Sequence, residues 1–313
     1  MTYLPSAVMR YRSILVIGGS GFVGSHIVAQ LAASGRHVTV PTRRLQRARH
    51  LLVLPTVQIV EADVFDDAAL GRLMSGVDAV INLVGVLHSA PGVPYGPGFA
   101  RSHVELPRKI LAACVAHGVT RYLHMSSLGA AVDAPSMYQR SKAAGEAVAL
   151  SHPEMATTIF RPSVVFGPED QFLNMFASLQ KVLPLMLVGG AEAKLQPVFV
   201  GDVASAFVNA LENQATFGQV FDLAGPQVYT LRELVQLSGA YSGHPRPVIG
   251  LPESLARLQA FVFEHLPGEP LMSRDNLDSL KVANVSSNAF PPELGITPTP
   301  LESVAPRYLS GRR

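Results

Sequence analysis

The sequence predicts an α/β fold: a doubly wound parallel sheet covered by helices, followed by a smaller, mainly helical lobe. Three observations carry this prediction. From Ser13 onward, short apolar runs alternate with longer amphipathic segments, which is the pattern of βαβ units. The short runs are unbroken apolar stretches, as expected for strands that are buried on both faces. A glycine-rich turn separates the first run from the segment that follows it.

Apolar runs predict the strands of the first domain at residues 13–17, 37–41, 57–61, 79–83, 122–125 and 157–160. The helix after the first strand is predicted to end at Gly35, because glycine often terminates helices. Asp66 is predicted to cap the next helix. A third helix is predicted over about 104–117, with Pro107 in its first turns and Gly118 at its end.

After about residue 165 the alternation becomes less regular. Helices are predicted near 172–182, 203–212, 231–241 and 253–266, and strands near 197–200 and 220–223. We therefore predict a first domain over residues 1–165 and a smaller substrate or partner lobe over 166–313. Some strands and helices of the second part are expected to return to the first domain. The lobe would then lie over the carboxyl ends of the strands, where open α/β sheets bind ligands.

The predicted helix at 253–266 carries large apolar residues at helical spacing: Leu255, Leu258, Phe261, Val262 and Leu266. Such a stripe usually packs into a core, and core packing is the expectation here. The alternative is a docking surface for a membrane protein or for lipid headgroups, since apolar patches that remain exposed mark such sites.

The composition excludes several classes of protein. The 313 residues include 25 Lys and Arg against 23 Asp and Glu, and a net charge of +2 is not a nucleic-acid footprint. The single cysteine, Cys114, excludes an internal disulfide and is predicted to be a small buried residue. The ten histidines lack ligand spacing, so no metal is predicted, and His124 is expected to pack in the core.

The amino-terminal segment MTYLPSAVMRYR lacks the continuous apolar region and the cleavage site of a signal peptide. No apolar stretch reaches the roughly 18 residues that would span a bilayer. We therefore expect a soluble, cytoplasmic protein. Met1 and Met9 are alternative starts, because the first strand begins only at Ser13.

The segment GGSGFVG (18–24) predicts a dinucleotide-binding turn of the Rossmann type, because it lies between a predicted strand and a predicted helix. Gly18 permits the sharp turn and Gly21 lets the backbone approach a pyrophosphate. Gly24 allows close packing of helix and strand, and the helix N-terminus favours an anion. The alternative is a glycine-rich turn used only for packing.

The end of the second strand predicts which dinucleotide binds. An acidic residue here would accept hydrogen bonds from the ribose 2′-OH of NAD, but the sequence has Arg43 and Arg44 instead. Two guanidiniums suit a 2′-phosphate, so NADP(H) is favoured over NAD(H). The alternative is that both arginines only solvate the start of a helix. Asp63 and Val64, after the third strand, are predicted to flank the adenine.

Tyr138 and Lys142 stand four positions apart, on one face of a predicted helix. A nearby ammonium favours the phenolate, so Lys142 is expected to lower the pKa of Tyr138 and make it a general acid or base for carbonyl–alcohol chemistry. Lys142 could also hold the nicotinamide ribose. Ser126 and Ser127 follow the fifth strand, where a hydroxyl can donate to a substrate oxygen.

These segments, together with RPSVVFGP (161–168), resemble the short-chain dehydrogenase/reductase superfamily in its extended and atypical branch. INLVG (81–85), HMSSLGA (124–130), YQRSKAAGE (138–146) and QPVFVGDVA (196–204) are most similar to one subgroup, often labelled NAD-dependent epimerase/dehydratase. That subgroup contains the nucleotide-binding accessory subunit of respiratory complex I and its bacterial relatives. The resemblance covers about residues 13–300 and is weakest after 240.

The resemblance implies Ser127, Tyr138 and Lys142 as the catalytic set, with Ser127 a better match than Ser126. It also implies that the Arg161-Pro162 stretch lies beside the nicotinamide. The predicted cofactor-binding residues are Gly18, Ser20, Gly21, Phe22, Val23, Gly24, Arg43, Arg44, Asp63, Val64, Leu83, Val84, Gly85, Tyr138, Lys142, Arg161, Pro162 and Val164. Ser127 and Tyr138 are only 11 positions apart, closer than in the sugar-nucleotide enzymes of the extended branch, which argues against a nucleotide-sugar pocket.

Three functions follow as hypotheses. The first is an NADP(H)-dependent oxidoreductase for an unidentified small carbonyl or alcohol, with Tyr138 as acid/base. The second is a non-catalytic or weakly catalytic NADP(H)-binding accessory or assembly protein of a respiratory complex, located at the inner face of a membrane. The third is a nucleotide-sugar epimerase or dehydratase, which would hold NAD.

Overall fold

The computed structural model describes residues 9–268 and 270–310. Residues 1–8, with the alternative start at Met1, lie outside the described residues. The strands are β1 Ser13–Ile17, β2 His37–Thr42, β3 Val57–Glu61, β4 Ala79–Asn82, β5 Arg121–Met125, β6 Ala156–Pro162, β7 Val165–Phe166, β8 Met186–Gly189, β9 Lys194–Leu195, β10 Val198–Phe199, β11 Gln219–Leu223, β12 Tyr229–Thr230 and β13 Val248–Leu251. The helices are α1 Phe22–Ala33, α2 Asp67–Leu73, α3 Pro97–Phe99, α4 Leu106–His117, α5 Met137–Ala149, α6 Leu173–Val182, α7 Val200–Ala210, α8 Leu231–Ser242, α9 Glu253–Glu264, α10 Arg274–Ser279 and α11 Leu301–Leu309.

Seven parallel strands form the central sheet, in the order β11-β6-β5-β4-β1-β2-β3. This confirms the predicted doubly wound α/β fold. All six strands predicted for the first domain lie in this sheet, and the strand predicted near 220–223 is its edge strand β11. The strand order reverses between β1 and β4, so the crevice where such sheets bind ligands opens at the carboxyl ends of these two strands.

Side chains alternate between two cores along each strand. Val16 faces the layer of α1 and α7, where it belongs to one cluster with Leu31 and Phe207. Leu15 faces the layer of α2, α4 and α5, where its cluster contains Cys114. Cys114 is fully buried, as predicted, and burial raises the pKa of its thiol to about 12. Both faces of the sheet are therefore covered, which explains the unbroken apolar runs.

The predicted helix boundaries follow local chemistry. The Asp66 side chain accepts a hydrogen bond from Ala69 N at 2.9 Å and so caps α2. Gly118 ends α4 with φ of +70°, a conformation that favours glycine. Gly35 follows the end of α1 with φ of +82°. These three predictions from sequence are confirmed.

The second part of the chain has a core of its own, built by α6, α8 and α11 around Leu234 and Phe176. The predicted strand at 197–200 is β10, which pairs with β7 and stands outside the central sheet. By contrast, α7 packs against α1 and β11 joins the central sheet, so the chain returns to the first part after residue 165. The domain boundary at 165 stays a prediction.

The expected core packing of the helix at 253–266 is wrong. Its large apolar residues are exposed: Leu255 by 51%, Leu258 by 59%, Phe261 by 44%, Val262 by 49% and Leu266 by 53%. The buried side of α9 carries only the small residues Ala256 and Ala260. A Cβ at Gly189 of β8 would lie 2.7 Å from Ala256 Cβ, so this close approach leaves no room for larger side chains. The large residues consequently point outward.

No helix in the described part of the chain is long and apolar enough to cross a bilayer. The longest of them, α5, has 13 residues, whereas a transmembrane helix needs about 20.

Candidate functional site

The predicted dinucleotide-binding turn lies where β1 ends and α1 begins. Gly18 has φ of +86°, in the left-handed region that favours glycine. A Cβ at this position would lie 3.2 Å from both the carbonyl carbon of Leu83 and the amide nitrogen of Val84. The structure therefore brings two of the predicted residues after β4 directly against the glycine turn.

The geometry of the turn fits a bound pyrophosphate. A Cβ at Gly24 would lie 2.3 Å from Gly18 O, so only glycine allows α1 to approach the turn this closely. A Cβ at Gly21 would meet only Gly18 O, at an ordinary 3.4 Å, so the outer side of the turn is open. Gly21 precedes α1 and no side chain caps this helix, so its first amides are free to bind an anion.

Three further predicted residues surround this turn. Ser20, Phe22 and Val23 are half-buried. The Phe22 ring packs edge-on against His26, with the ring centres 5.9 Å apart, and its Cζ lies 3.4 Å from where a Cβ of Gly167 would stand. The loop after β7 therefore packs against the start of α1.

The residues predicted at the adenosine end lie after two adjacent strands. Arg43 and Arg44 are exposed immediately beyond β2, and neither guanidinium pairs with another side chain in the described ranges. Asp63 is exposed beyond β3, and its carboxylate accepts a hydrogen bond from Phe65 N at 3.1 Å. Val64 beside it is half-buried. This corner of the sheet thus presents two free cations.

Lys142 connects three parts of the site. It is buried on α5, and its Nζ donates a hydrogen bond of 2.9 Å to Met125 O at the end of β5. The same Nζ lies 6.0 Å from the centre of the Tyr138 ring. A Cβ at Gly85, in the loop after β4, would lie 3.5 Å from it. The predicted residues Gly85, Tyr138 and Lys142 are therefore close together.

The pKa values differ from the expectation. Burial raises the pKa of the Tyr138 phenol, with only a smaller opposing effect from the Ser127 hydroxyl. Burial lowers the pKa of Lys142 to about 8, against the opposing charge of Glu146. The expectation that Lys142 lowers the pKa of Tyr138 is therefore not met in this structure, because loss of solvation is the dominant influence on the phenol. Tyr138 is a neutral phenol at neutral pH.

Two serine hydroxyls at the end of β5 lack partners. Ser126 and Ser127 are buried, and the Oγ atom of each has no hydrogen-bond partner among the described residues. Buried hydroxyls are normally hydrogen-bonded, so an unpaired one beside a tyrosine calls for an external partner. Ser127 is near enough to the Tyr138 phenol to oppose the rise in its pKa, but the two hydroxyls do not have hydrogen-bond geometry. The structure thus leaves a donor next to the phenol for a group that enters the site.

His103 is part of the site and was missed by the sequence interpretation. Its Nε2 accepts a hydrogen bond of 3.0 Å from Val86 N, and its Nδ1 lies 2.8 Å from Ser141 Oγ. Burial lowers the pKa of His103 to about 2, so the ring is neutral, with its proton on Nδ1. The ring stacks on Phe99 and meets Tyr138 edge-on, with centres 5.4 and 5.6 Å away. His103 thus fixes the Tyr138 ring and the loop after β4.

A local change of helix type places His103 in the site. The predicted helix at 104–117 begins as a π-helical turn over Ala100–Glu105, followed by α4. Pro107 has no N–H to offer to the carbonyl of His103 four residues earlier, so a regular α-helix cannot continue there. That carbonyl would lie 2.2 Å from a Cβ at Gly145, so the absence of a side chain lets α5 pack against it. Pro107 is therefore the residue from which this change of helix type could have been predicted.

Arg161, predicted beside the nicotinamide, forms an ion pair with a carboxylate of α5. Its Nε and Nη2 donate hydrogen bonds of 2.7 and 2.5 Å to the two carboxylate oxygens of Glu146 on α5. The neighbouring Pro162 is buried at the end of β6. The amide of Val164 donates to Asn284 Oδ1 at 3.3 Å, and Asn284 Nδ2 donates to Leu128 O at 3.2 Å. Asn284 therefore links the loops after β5 and β6.

His124, in β5, belongs to the packed interior of the protein. His124 is buried, as predicted, and its Nδ1 lies 3.0 Å from Tyr122 Oη and 3.3 Å from Asn82 Nδ2. Burial lowers the pKa of His124 to about 3. Across residues 9–268 and 270–310, no group of three His, Cys, Asp or Glu side chains is arranged to hold a metal ion.

Known proteins are similar to this chain over most of its length. The mouse protein "NADH dehydrogenase [ubiquinone] 1 alpha subcomplex subunit 9, mitochondrial" is 32% identical over 295 residues, covering 92% of this chain and 77% of the relative. The 2-alkyl-3-oxoalkanoate reductase of Stenotrophomonas maltophilia is 28% identical over 260 residues, covering 74% of this chain and 76% of the relative.

A solved structure with a similar fold is the UDP-glucuronic acid 4-epimerase of Bacillus cereus in complex with UDP-glucuronic acid and NAD. Its TM-score is 0.70 at 20% identity, and the match covers 96% of this chain and all of that chain. The model of the NAD dependent epimerase/dehydratase family matches residues 14–224, which confirms the resemblance found in the sequence. The chain belongs to the NAD dependent epimerase/dehydratase family.

Proposed function

We propose that this protein is an NADP(H)-dependent oxidoreductase that interconverts a carbonyl compound and its alcohol. The observation that carries the proposal is the unpaired, buried Ser127 hydroxyl beside the Tyr138 phenol. This pair lies on the same edge of the sheet as the glycine turn, and the Gly85 loop connects the two through Lys142. A carbonyl oxygen placed between Ser127 and Tyr138 would meet one hydrogen-bond donor and one proton donor.

The nicotinamide of a bound dinucleotide would supply the hydride for this chemistry. Ser127 Oγ donates a hydrogen bond to the substrate carbonyl oxygen and orients it. Tyr138 Oη gives its proton to the same oxygen as the alcohol forms. Burial keeps the phenol protonated at neutral pH, which suits the reducing direction. The Lys142 ammonium, held by Met125 O, stabilises the phenolate that remains.

The preference for NADP(H) is inferred from Arg43 and Arg44. Both are exposed beyond β2 and unpaired within the described ranges, next to the strand from which the glycine turn leaves. A 2′-phosphate offers oxygens that a guanidinium can bind in pairs, whereas a 2′-OH does not. The names of two relatives support carbonyl reduction. One is the 2-alkyl-3-oxoalkanoate reductase described above. The other is the ceramide reductase of Caulobacter vibrioides, which is 31% identical over 199 residues.

The test is turnover of NADPH with a panel of carbonyl compounds that includes quinones, followed at the absorbance of the reduced nicotinamide. Tyr138→Phe should lower kcat at least ~100-fold, because it removes the general acid. Dinucleotide affinity should remain. Tyr241→Phe, on α8, is the matched control and should leave turnover unchanged. Equal turnover in Tyr138→Phe would refute the assigned role of Tyr138. Absence of turnover with the whole panel would refute the proposed activity.

A second candidate is an accessory or assembly component of a respiratory complex that holds its dinucleotide permanently. Two observations favour it: the relatives named as respiratory NADH dehydrogenase subunits, and the exposed apolar face of α9. A respiratory complex that covers this face would hold the protein at the inner face of the membrane that contains the complex. This candidate predicts that dinucleotide co-purifies without turnover, and that Leu258→Asp abolishes co-purification with a respiratory complex while the dinucleotide is retained. Bound NAD without net consumption would instead indicate an epimerase.

A further inference from the structure

The N-terminus of the tyrosine-bearing helix α5 is held by two side chains from different parts of the chain. Ser136 Oγ accepts a hydrogen bond from Gln139 N at 3.1 Å, which is an ordinary local cap. The two remaining free amides belong to Met137 and to Tyr138 itself. They donate to the two carboxylate oxygens of Asp275, at 2.6 and 3.0 Å. All three amides of the first helical turn are therefore bound.

Asp275 is anchored from the carboxyl-terminal part of the chain. It lies in α10, whose first turn is closed by reciprocal hydrogen bonds between Ser273 and Asn276. Leu277 of the same helix is buried in a cluster with Ala256 and Ala260 of α9. Asp275 is thus presented by a packed element rather than by a free loop.

We propose that Asp275 is a positioning residue for Tyr138, and that through it the carboxyl-terminal lobe sets the place of the phenol relative to Ser127. The inference rests on the proposed function. The carboxylate binds the backbone of Tyr138 directly, so it fixes the point from which the side chain leaves α5. Its negative charge also complements the positive end of the helix. Nothing in this contact involves the glycine turn, so cofactor binding should be independent of it.

The charged groups around Asp275 provide a control variant for the test. Arg140 on α5 and Asp278 on α10 are the neighbours that act on its carboxylate. The Arg140 guanidinium is held by the carbonyls of Pro94, Ala134 and Pro135. Asp278 pairs with Arg257 and Lys281, and within the described residues it forms no hydrogen bond or ion pair with α5. Asp278→Asn therefore removes the same charge from the same short helix without touching the cap, which makes it a matched control.

The experiment compares Asp275→Asn, Asp275→Glu and Asp278→Asn in the full chain. A carboxamide can accept from only one of the two amides and opposes the other with its own N–H. We expect kcat for carbonyl reduction to fall about tenfold in Asp275→Asn, because a small misplacement of a reacting group has a large effect. KM for NADPH should stay within about twofold of wild type, Asp275→Glu should restore most of kcat, and Asp278→Asn should match wild type.

Amide hydrogen exchange of the peptide that begins α5 provides a readout independent of activity. Faster exchange there in Asp275→Asn, but not in Asp278→Asn, supports the cap even if the wild-type protein turns over no carbonyl. Absence of carbonyl turnover in the wild-type protein would refute the proposed function, not the cap. Wild-type kcat in Asp275→Asn, or an equal loss in Asp278→Asn, would overturn the positioning role. So would a loss confined to KM for NADPH.

Discussion

Arg161 and Glu146 form a two-pronged ion pair across the site, with hydrogen bonds of 2.7 and 2.5 Å between the guanidinium and the two carboxylate oxygens. Glu146 is mostly buried and stands one helical turn after Lys142. Its charge is what keeps the pKa of Lys142 from falling further than about 8. The pair therefore influences how much of Lys142 is protonated at a given pH.

For the proposed carbonyl reduction, Glu146→Gln should shift the loss of activity at alkaline pH to a lower pH value. If the Lys142 ammonium is required, kcat/KM of the wild type should fall as pH rises through about 8, since this parameter reports the free enzyme. Removing the Glu146 charge lowers the pKa of Lys142, so the fall should move to lower pH. A pH series of kcat/KM measures this. Glu192→Gln is the control, because it removes only the exposed partner of Arg232. If the alkaline fall of kcat/KM stays at the same pH in Glu146→Gln, the prediction is wrong.

The two glycines Gly21 and Gly24 should respond differently to alanine. Gly24→Ala places a methyl group 2.3 Å from Gly18 O and should lower the free energy of unfolding by about 1–3 kcal/mol. Gly21→Ala meets only an ordinary contact and should leave stability nearly unchanged, while its methyl group weakens pyrophosphate binding. Denaturant unfolding and calorimetric titration with NADPH separate the two effects. Normal NADPH affinity in Gly21→Ala would remove the support for a pyrophosphate at this turn.

Arg43→Ala and Arg44→Ala should narrow the difference between NADPH and NADH affinity. Each guanidinium is expected to bind the 2′-phosphate of NADPH but not the 2′-OH of NADH. Its loss should therefore lower only the affinity for NADPH, by about tenfold. Calorimetric titration with both dinucleotides measures it. Arg72→Ala, an exposed arginine in α2, is the control. Equal NADPH and NADH affinities in the wild type would exclude the 2′-phosphate interpretation and leave the fold untouched.

His103→Phe should keep the stacking with Phe99 but lose the hydrogen bonds to Val86 and Ser141. The Val86 amide is left unpaired, whereas Ser141 Oγ still donates to Tyr138 O, so the free energy of unfolding should fall by roughly 1–3 kcal/mol. Turnover should fall as well, because the ring that packs edge-on against Tyr138 is no longer held by these hydrogen bonds. Since the pKa of His103 is about 2, the wild-type pH profile should show no limb from this residue between pH 5 and 8. Thermal unfolding and the pH profile of kcat check both expectations.

The fold was predictable because its signals are local. The apolar runs, the caps at Asp66 and Gly118 and the glycine turn each depend on a few neighbouring residues. The Tyr138 and Lys142 pair is likewise local, being one helical turn. The residues that surround this pair were not predictable in the same way. His103, Asp275 and Asn284 reach the site from separate elements, and only the folded chain brings them together.

Two expectations failed: the core packing of the helix at 253–266 and the lowered pKa of Tyr138. Both depend on burial, which a local sequence pattern does not determine. Periodicity shows that a helix face is apolar, but it does not show which side faces inward. In α9 the close approach to Gly189 admits only alanines, so the larger residues are outside. In the same way, spacing places Lys142 beside Tyr138, but burial then dominates the pKa of both groups.

The outward-facing leucines and phenylalanine of α9 have a practical consequence for anyone who handles this protein. At high concentrations of a salting-out anion such as sulfate, exposed apolar side chains are driven onto any surface that shields them from water. The chain should therefore bind a phenyl-substituted chromatography resin under those conditions and elute as the salt is diluted, and replacing Leu258 with aspartate should make it elute earlier.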